Sequence, residues 1–199
     1  MKAPLFLLAL FLAGCVNFGE DRNSPPITHY VLSDFEPVAK PAGTPDPRTL
    51  LVLDTTTSAF YDTDTLAFSR RPGTRGYYQY ARWTERPGKR FADLMRARLE
   101  SQGSFAAIAA AGGHVRGDLL LDTELVEFYH DAHSAPGSVH IVLRAELIDL
   151  KTRSLLGRTL LEQRVEAASY DAAGAAQAFN LATGRALDDL VIWLANVKK

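Results

Sequence analysis

One cysteine, Cys15, occurs in 199 residues, so the chain can form neither an internal disulfide nor a thiolate metal cluster. Charge of one sign is equally scarce: 22 basic residues against 23 acidic ones leave a formal net charge of -1. That balance supplies no broad basic field for nucleic acid and no acidic tail. The apolar stretch from Ala3 to Val16 is short of the roughly 20 residues that a membrane-crossing helix requires. Missing too are a Gly-x-Ser-x-Gly elbow, a Gly-x-x-x-x-Gly-Lys-Ser/Thr loop and a strand followed by Gly-x-Gly-x-x-Gly, the signatures of acyl transfer, nucleotide hydrolysis and dinucleotide binding. Stability has to come from packing, and 47% hydrophobic and 10% aromatic residues are enough for a globular core.

What is present begins with that cysteine. Leu12-Ala13-Gly14-Cys15 follows a Lys-bearing start and a short apolar run, the order in which a bacterial lipoprotein signal peptide ends. Small residues before the cut and a thiol after it are what peptidase and acyltransferase chemistry need. Residues 1–14 therefore read as a signal peptide and Cys15 as the lipidation site. Acyl chains on Cys15 then supply the anchor, at about 0.8 kcal/mol per buried methylene. Val16, in place of Asp, points to the outer membrane, periplasmic face. Residues 15–26 are polar and end in Pro25-Pro26, which reads as a tether carrying one folded domain over 27–199.

Within that domain the patterning predicts an α+β fold: a mostly antiparallel sheet with two helices packed on one face. Ile27 to Ser33 is a first strand candidate, and Asp34 to Arg48 a Pro-rich crossing. Thr49 to Asp54 is almost wholly apolar, as for a strand central in a sheet. Leu66 to Arg70 and Gly76 to Arg82 flank Arg71-Pro72-Gly73 as a hairpin. After Pro87-Gly88, helical spacing runs from Lys89 to Gln102 and stops at Gly103. A weaker strand covers Phe105 to Ala110. Leu119 to Tyr129, Val139 to Leu147 and Leu155 to Glu166 alternate as three antiparallel strands, with Val126 and Phe128 on the face of Asp122 and Glu124. Asp171 to Val197 is a long helix whose stripe is Phe179, Ala182, Ala186, Leu190, Trp193 and Val197.

Two groups of residues could carry function. Glu127, His130, Asp131, His133 and His140 could present imidazoles to zinc, but they match no metal spacing and read as a solvated hairpin tip. Asp188-Asp189 likewise reads as a solvated helix face, and Gly112-Gly113-His114 as a connection. The segment Gly76 to Trp83 interleaves Tyr78, Tyr80, Arg82 and Trp83 with flanking arginines. Such rings fit a partner-binding surface and fit a core face equally well.

The lipobox, His29-Tyr30-Val31-Leu32, the run Tyr61-Asp62-Thr63-Asp64-Thr65-Leu66-Ala67-Phe68-Ser69-Arg70, and Tyr80-Ala81-Arg82-Trp83-Thr84-Glu85-Arg86-Pro87 leading into a helix together resemble the ABC-type transport auxiliary lipoproteins, the PqiC-like group. The resemblance implies a non-enzymatic subunit, with no cofactor, of an MCE-type system moving lipids between the membranes. Its implied partners are an MCE-domain protein and the ABC transporter subunits. An alternative is a carrier that binds a lipid or small hydrophobic ligand in an apolar pocket.

Overall fold

The computed structural model describes residues 25–35 and 44–197, so Cys15, most of the tether and the middle of the Pro-rich crossing lie outside the described residues. In chain order the elements are β1 (Thr28–Tyr30), β2 (Asp46–Val52), β3 (Thr56–Thr57), β4 (Thr65–Ser69), β5 (Gly76–Trp83), α1 (Pro87–Gln102), β6 (Phe105–Ala110), β7 (Leu119–Asp131), β8 (Ser138–Asp149), β9 (Ser154–Glu166) and α2 (Ala172–Val197). They form an α+β arrangement around one hydrophobic cluster.

β7 organises the sheet. β8 pairs antiparallel along its whole length, from Leu119 opposite Asp149 to Asp131 opposite Ser138, and β9 follows antiparallel on β8. The opposite edge of β7 is shared in succession by β2, β3 and β4, all parallel to it. β6 then extends the sheet from β2, and β5 and β1 extend it from β4. Most registered pairs are antiparallel, as the alternation predicts, but the amino-terminal half makes the sheet mixed. The reason is connectivity: the chain between β2 and β6 includes α1, a crossover that returns β6 parallel to β2.

A bulge in β7 reverses the side-chain phase. Leu119, Leu121, Thr123 and Leu125 are buried, as period two requires. Val126 is then the extra residue, since Leu125 pairs with Leu143 and Glu127 with Val142. Beyond it Phe128 and His130 point into the core, while Glu127 and Tyr129 join the face of Asp122 and Glu124. Strict alternation expects Phe128 on the charged face; the bulge turns it into the core instead. β8 needs no such shift: Val139, Ile141, Leu143, Ala145 and Leu147 are all buried.

α2 packs along β8 and β9 and α1 against β6 and β3, with the helices touching each other. Pro87-Gly88 opens α1, two residues before the predicted start, because proline suits a first helical turn. Gly103 ends the helix in the left-handed region at φ 63°, its N–H donating to the Glu100 carbonyl. The predicted α2 stripe is buried from Phe179 to Leu190, with Trp193 and Val197 partly covered.

Asp188 and Asp189 are not on a solvated face. Asp188 and Asp34 both accept from the buried guanidinium of Arg98, Asp34 Oδ2 at 2.8 Å from Nε, and Asp189 accepts from Gln163 Nε2 at 2.6 Å. Arg98 thereby joins α1, α2 and the segment after β1. Burial pushes the Asp188 carboxyl up, with Arg98 pulling against it.

Candidate functional site

β5 carries the aromatic residues, and the pleat divides them. Ala81 and Trp83 enter the core, while Tyr80 and Arg82 are half-buried. Trp83 is 1% exposed; its ring meets Phe179 edge-on at 5.3 Å and Phe128 at 6.0 Å. Phe128 stacks on Phe179 at 4.3 Å. These three rings pack together between the sheet and α2. The assignment of Trp83 to a partner-binding surface is therefore corrected: the ring is core, because β5 passes beneath α2 at that point.

Tyr78 faces inward as well. Its ring lies 4.9 Å from Phe68, over which the Arg70 guanidinium sits at 5.0 Å. Its hydroxyl reaches His130 Nδ1 at 2.7 Å. His130 is fully buried, and its Nε2 donates to the Pro136 carbonyl at 3.2 Å, so Nδ1 is the acceptor for the tyrosine O–H. Gly137, at φ 83°, closes this lock: a Cβ there would lie 2.3 Å from His130 Nε2. Burial pushes the Tyr78 hydroxyl up to about 12, so it keeps its proton. Tyr78→Phe leaves Nδ1 buried without a donor and is expected to cost about 1–3 kcal/mol in chemical denaturation.

Burial also lowers the pKa of His130, against the Pro136 carbonyl and the more distant Asp131 and Asp171. A depressed folded value means that the unfolded chain takes up the proton first. The stability His130 contributes is complete above its ordinary value near 6.5 and is lost as pH falls from there through the folded value. Unfolding free energy should therefore drop on acidification by at most about 1.4 kcal/mol per pH unit from this group. His130→Gln, which cannot titrate, should remove that component from a series of denaturation curves.

The other members of the predicted polar tip separate. His140 lies in β8, 9% exposed, with Nε2 at 2.9 Å from Glu162 and Nδ1 at 3.3 Å from the Tyr129 hydroxyl. Only His133 is at the exposed tip, beside the Arg70 carbonyl at 3.4 Å. The solvated reading thus fails for His130, which β7 carries into the core, and for His140, which Tyr129 and Glu162 cover on the opposite face of the sheet. Among the described residues no group of three or more His, Cys, Asp or Glu side chains could hold a metal ion.

Glu127 belongs to a network that the sequence did not reveal. It accepts from the Tyr61 hydroxyl at 2.6 Å and from Arg75 at 2.9 Å, while Arg75 Nε donates to Tyr61 at 3.0 Å. The Arg75 guanidinium lies 3.6 Å over the Tyr129 ring. Burial favours the neutral acid, but these donors outweigh it and lower the Glu127 pKa. Burial, then Glu127, pushes the Tyr61 hydroxyl up to about 12. Arg75, Tyr129, Asp131 and His133 line an open cleft of about 370 Å³ between the β4–β5 turn and the end of β7.

At the outer side of β5, Tyr77 is 40% exposed, stacked on Phe60 at 4.4 Å. Arg82 folds back onto its own strand, donating to the carbonyls of Ala81 at 2.9 Å and Tyr78 at 3.1 Å. What this surface offers is aromatic area and held guanidinium groups.

No curated protein matches the chain in sequence. Its fold is similar to that of protein XCC0632 from Xanthomonas campestris, with TM-score 0.78 and 22% identity over 86% of this chain and 96% of that one. A crystal structure of an uncharacterized protein gives TM-score 0.67 and 11% identity over 85% and 99% of the two chains. Lipoprotein GNA1162 from Neisseria meningitidis is more distant, at TM-score 0.43 and 14% identity over 75% and 99%. The family model of the ABC-type transport auxiliary lipoprotein component matches residues 30–191, and the chain belongs to that family.

Proposed function

We propose that this chain is the outer-membrane lipoprotein subunit of an MCE-type ABC transport system. Acylated Cys15 holds the domain at the periplasmic face, and the domain docks the lipid conduit without performing chemistry. Membership of the auxiliary lipoprotein family carries this reading. The lipobox and Val16 support the anchor and its membrane. The dozen residues from Cys15 to Ile27 reach about 40 Å at most, so the MCE-domain partner has to come to the bilayer.

Docking uses the half-exposed side of β5, with Tyr80 and Arg82 at its centre and Tyr77 beside them. Trp83 supports that strand from beneath. Tyr80→Ala and Arg82→Ala should each weaken co-purification of the MCE-domain protein and the transporter subunits from detergent-solubilised membranes, with the thermal midpoint nearly unchanged. Undiminished capture by both variants would place docking elsewhere. Labelled palmitate should appear on the parent chain, sediment with outer membranes and be lost in Cys15→Ser.

A further inference from the structure

We infer that the segment linking the tether to the body is a second membrane contact, a fixed apolar row that lies against the lipid headgroups. Ile27, Val31 and Phe35 are exposed at 51%, 51% and 69%. Ile27 and Val31 flank β1, where alternate residues point the same way, with His29 between them on that side, and Phe35 follows further along the chain. Leu32 and Asp34 turn to the other side, inward. Phe35 also lines a small depression with Leu181 and Arg185 of α2, and Leu181 is itself 45% exposed.

The row cannot fold away. Leu32 is 1% exposed, Arg90 Nε donates to its carbonyl at 2.9 Å, and the Ser33 N–H donates to Asn180 Oδ1 at 2.9 Å. Asp34 is held by Arg98. The apolar side chains are therefore held outward by four separate attachments. On that side the three apolar residues alternate with His29 and Ser33, an amphiphilic edge of the kind that an interface between water and lipid covers.

A bilayer is the occupant that the position of these residues favours, and the inference rests on the anchoring of Cys15 proposed above. The row starts where the tether ends, so the acyl chains confine it within about 40 Å of headgroups. Phenylalanine and leucine suit the boundary between headgroup and acyl chain, and Arg185 at the rim suits lipid phosphates. The contact turns a lipid anchor into an oriented attachment, leaving β5 facing the periplasm.

The test uses the full acylated chain in vesicles of phosphatidylethanolamine with a minority of phosphatidylglycerol, with and without brominated acyl chains. Phe35→Trp places a reporter on the row, and Val31→Trp repeats the measurement at a second position. Leu160→Trp is the control: Leu160 is 59% exposed on β9, on the face away from α2. Emission from Phe35→Trp, corrected for the native tryptophans, should fall by about twofold more than that of the control if the row meets the interface. Equal quenching at both positions in an acylated chain overturns the contact while leaving the anchor intact. A lipid-independent, concentration-dependent blue shift also overturns it, since a second copy is then the cover. An intact mass without the acyl group on Cys15 overturns the anchor and this placement together.

Discussion

Trp83→Ala lowers the stability of the domain by about 3–5 kcal/mol, the cost of deleting a large ring from a packed core. The size follows from the surroundings: the indole is 1% exposed, edge-on to Phe179 and tilted against Phe128. Against a total of about 5–15 kcal/mol for a typical domain, such a loss takes at least about a fifth of the reserve. The thermal midpoint should fall by on the order of 10 °C. Trp83→Phe separates packing from polarity. Nε1 of Trp83 is buried without a hydrogen-bond partner among the described residues, so phenylalanine forfeits contact area but also removes an unpaired N–H. The phenylalanine variant should therefore retain most of the lost stability. A Trp83→Ala protein that melts like the parent yet loses its MCE-domain partner would return this ring to the docking surface.

Arg98→Met should be comparably severe, at about 3–5 kcal/mol, because it removes the cation from a buried ionic cluster and leaves the anions in place. Asp34 and Asp188 then share a site with no guanidinium between them. The accompanying pH effect has a definite sign. Burial already pushes the Asp188 carboxyl up, and without Arg98 that upward push is unopposed. A raised folded value favours folding below the unfolded carboxylate value and penalises it above. The deficit of Arg98→Met relative to the parent should thus be full near pH 7 and shrink toward about pH 4, read by denaturation at the two pH values. A deficit that stays constant would mean that Asp188 keeps its charge by another route.

The elements were legible where period and punctuation agree. β8, β9, α2 and the Gly103 stop fall where alternation, helical spacing and a glycine cap put them, within a residue or two. Strand direction was less accessible, since parallel pairing of β2 with β6 and β7 depends on what the crossovers do. The β7 bulge was invisible for a related reason: nothing in Leu125-Val126-Glu127 distinguishes an inserted residue from continued alternation. That one residue decides which of Phe128, Tyr129 and His130 is core, so it also hid the Tyr78–His130 lock. Asp188 misled because a charged residue beside a buried stripe reads as solvated until its partner, 90 positions away, is known. Within the aromatic segment, composition could not divide Trp83 from Tyr80; only the position of β5 under α2 does.

The parallel pairing of β1 with β5 has a mechanical consequence. Tension drawn along β1 loads its bonds to Ala81, Arg82 and Trp83 together, in shear, instead of opening them one at a time. Once β1 is parted, the same pull must extract Leu32 and separate Asp34 from Arg98, so both helices resist before the segment after β1 comes free.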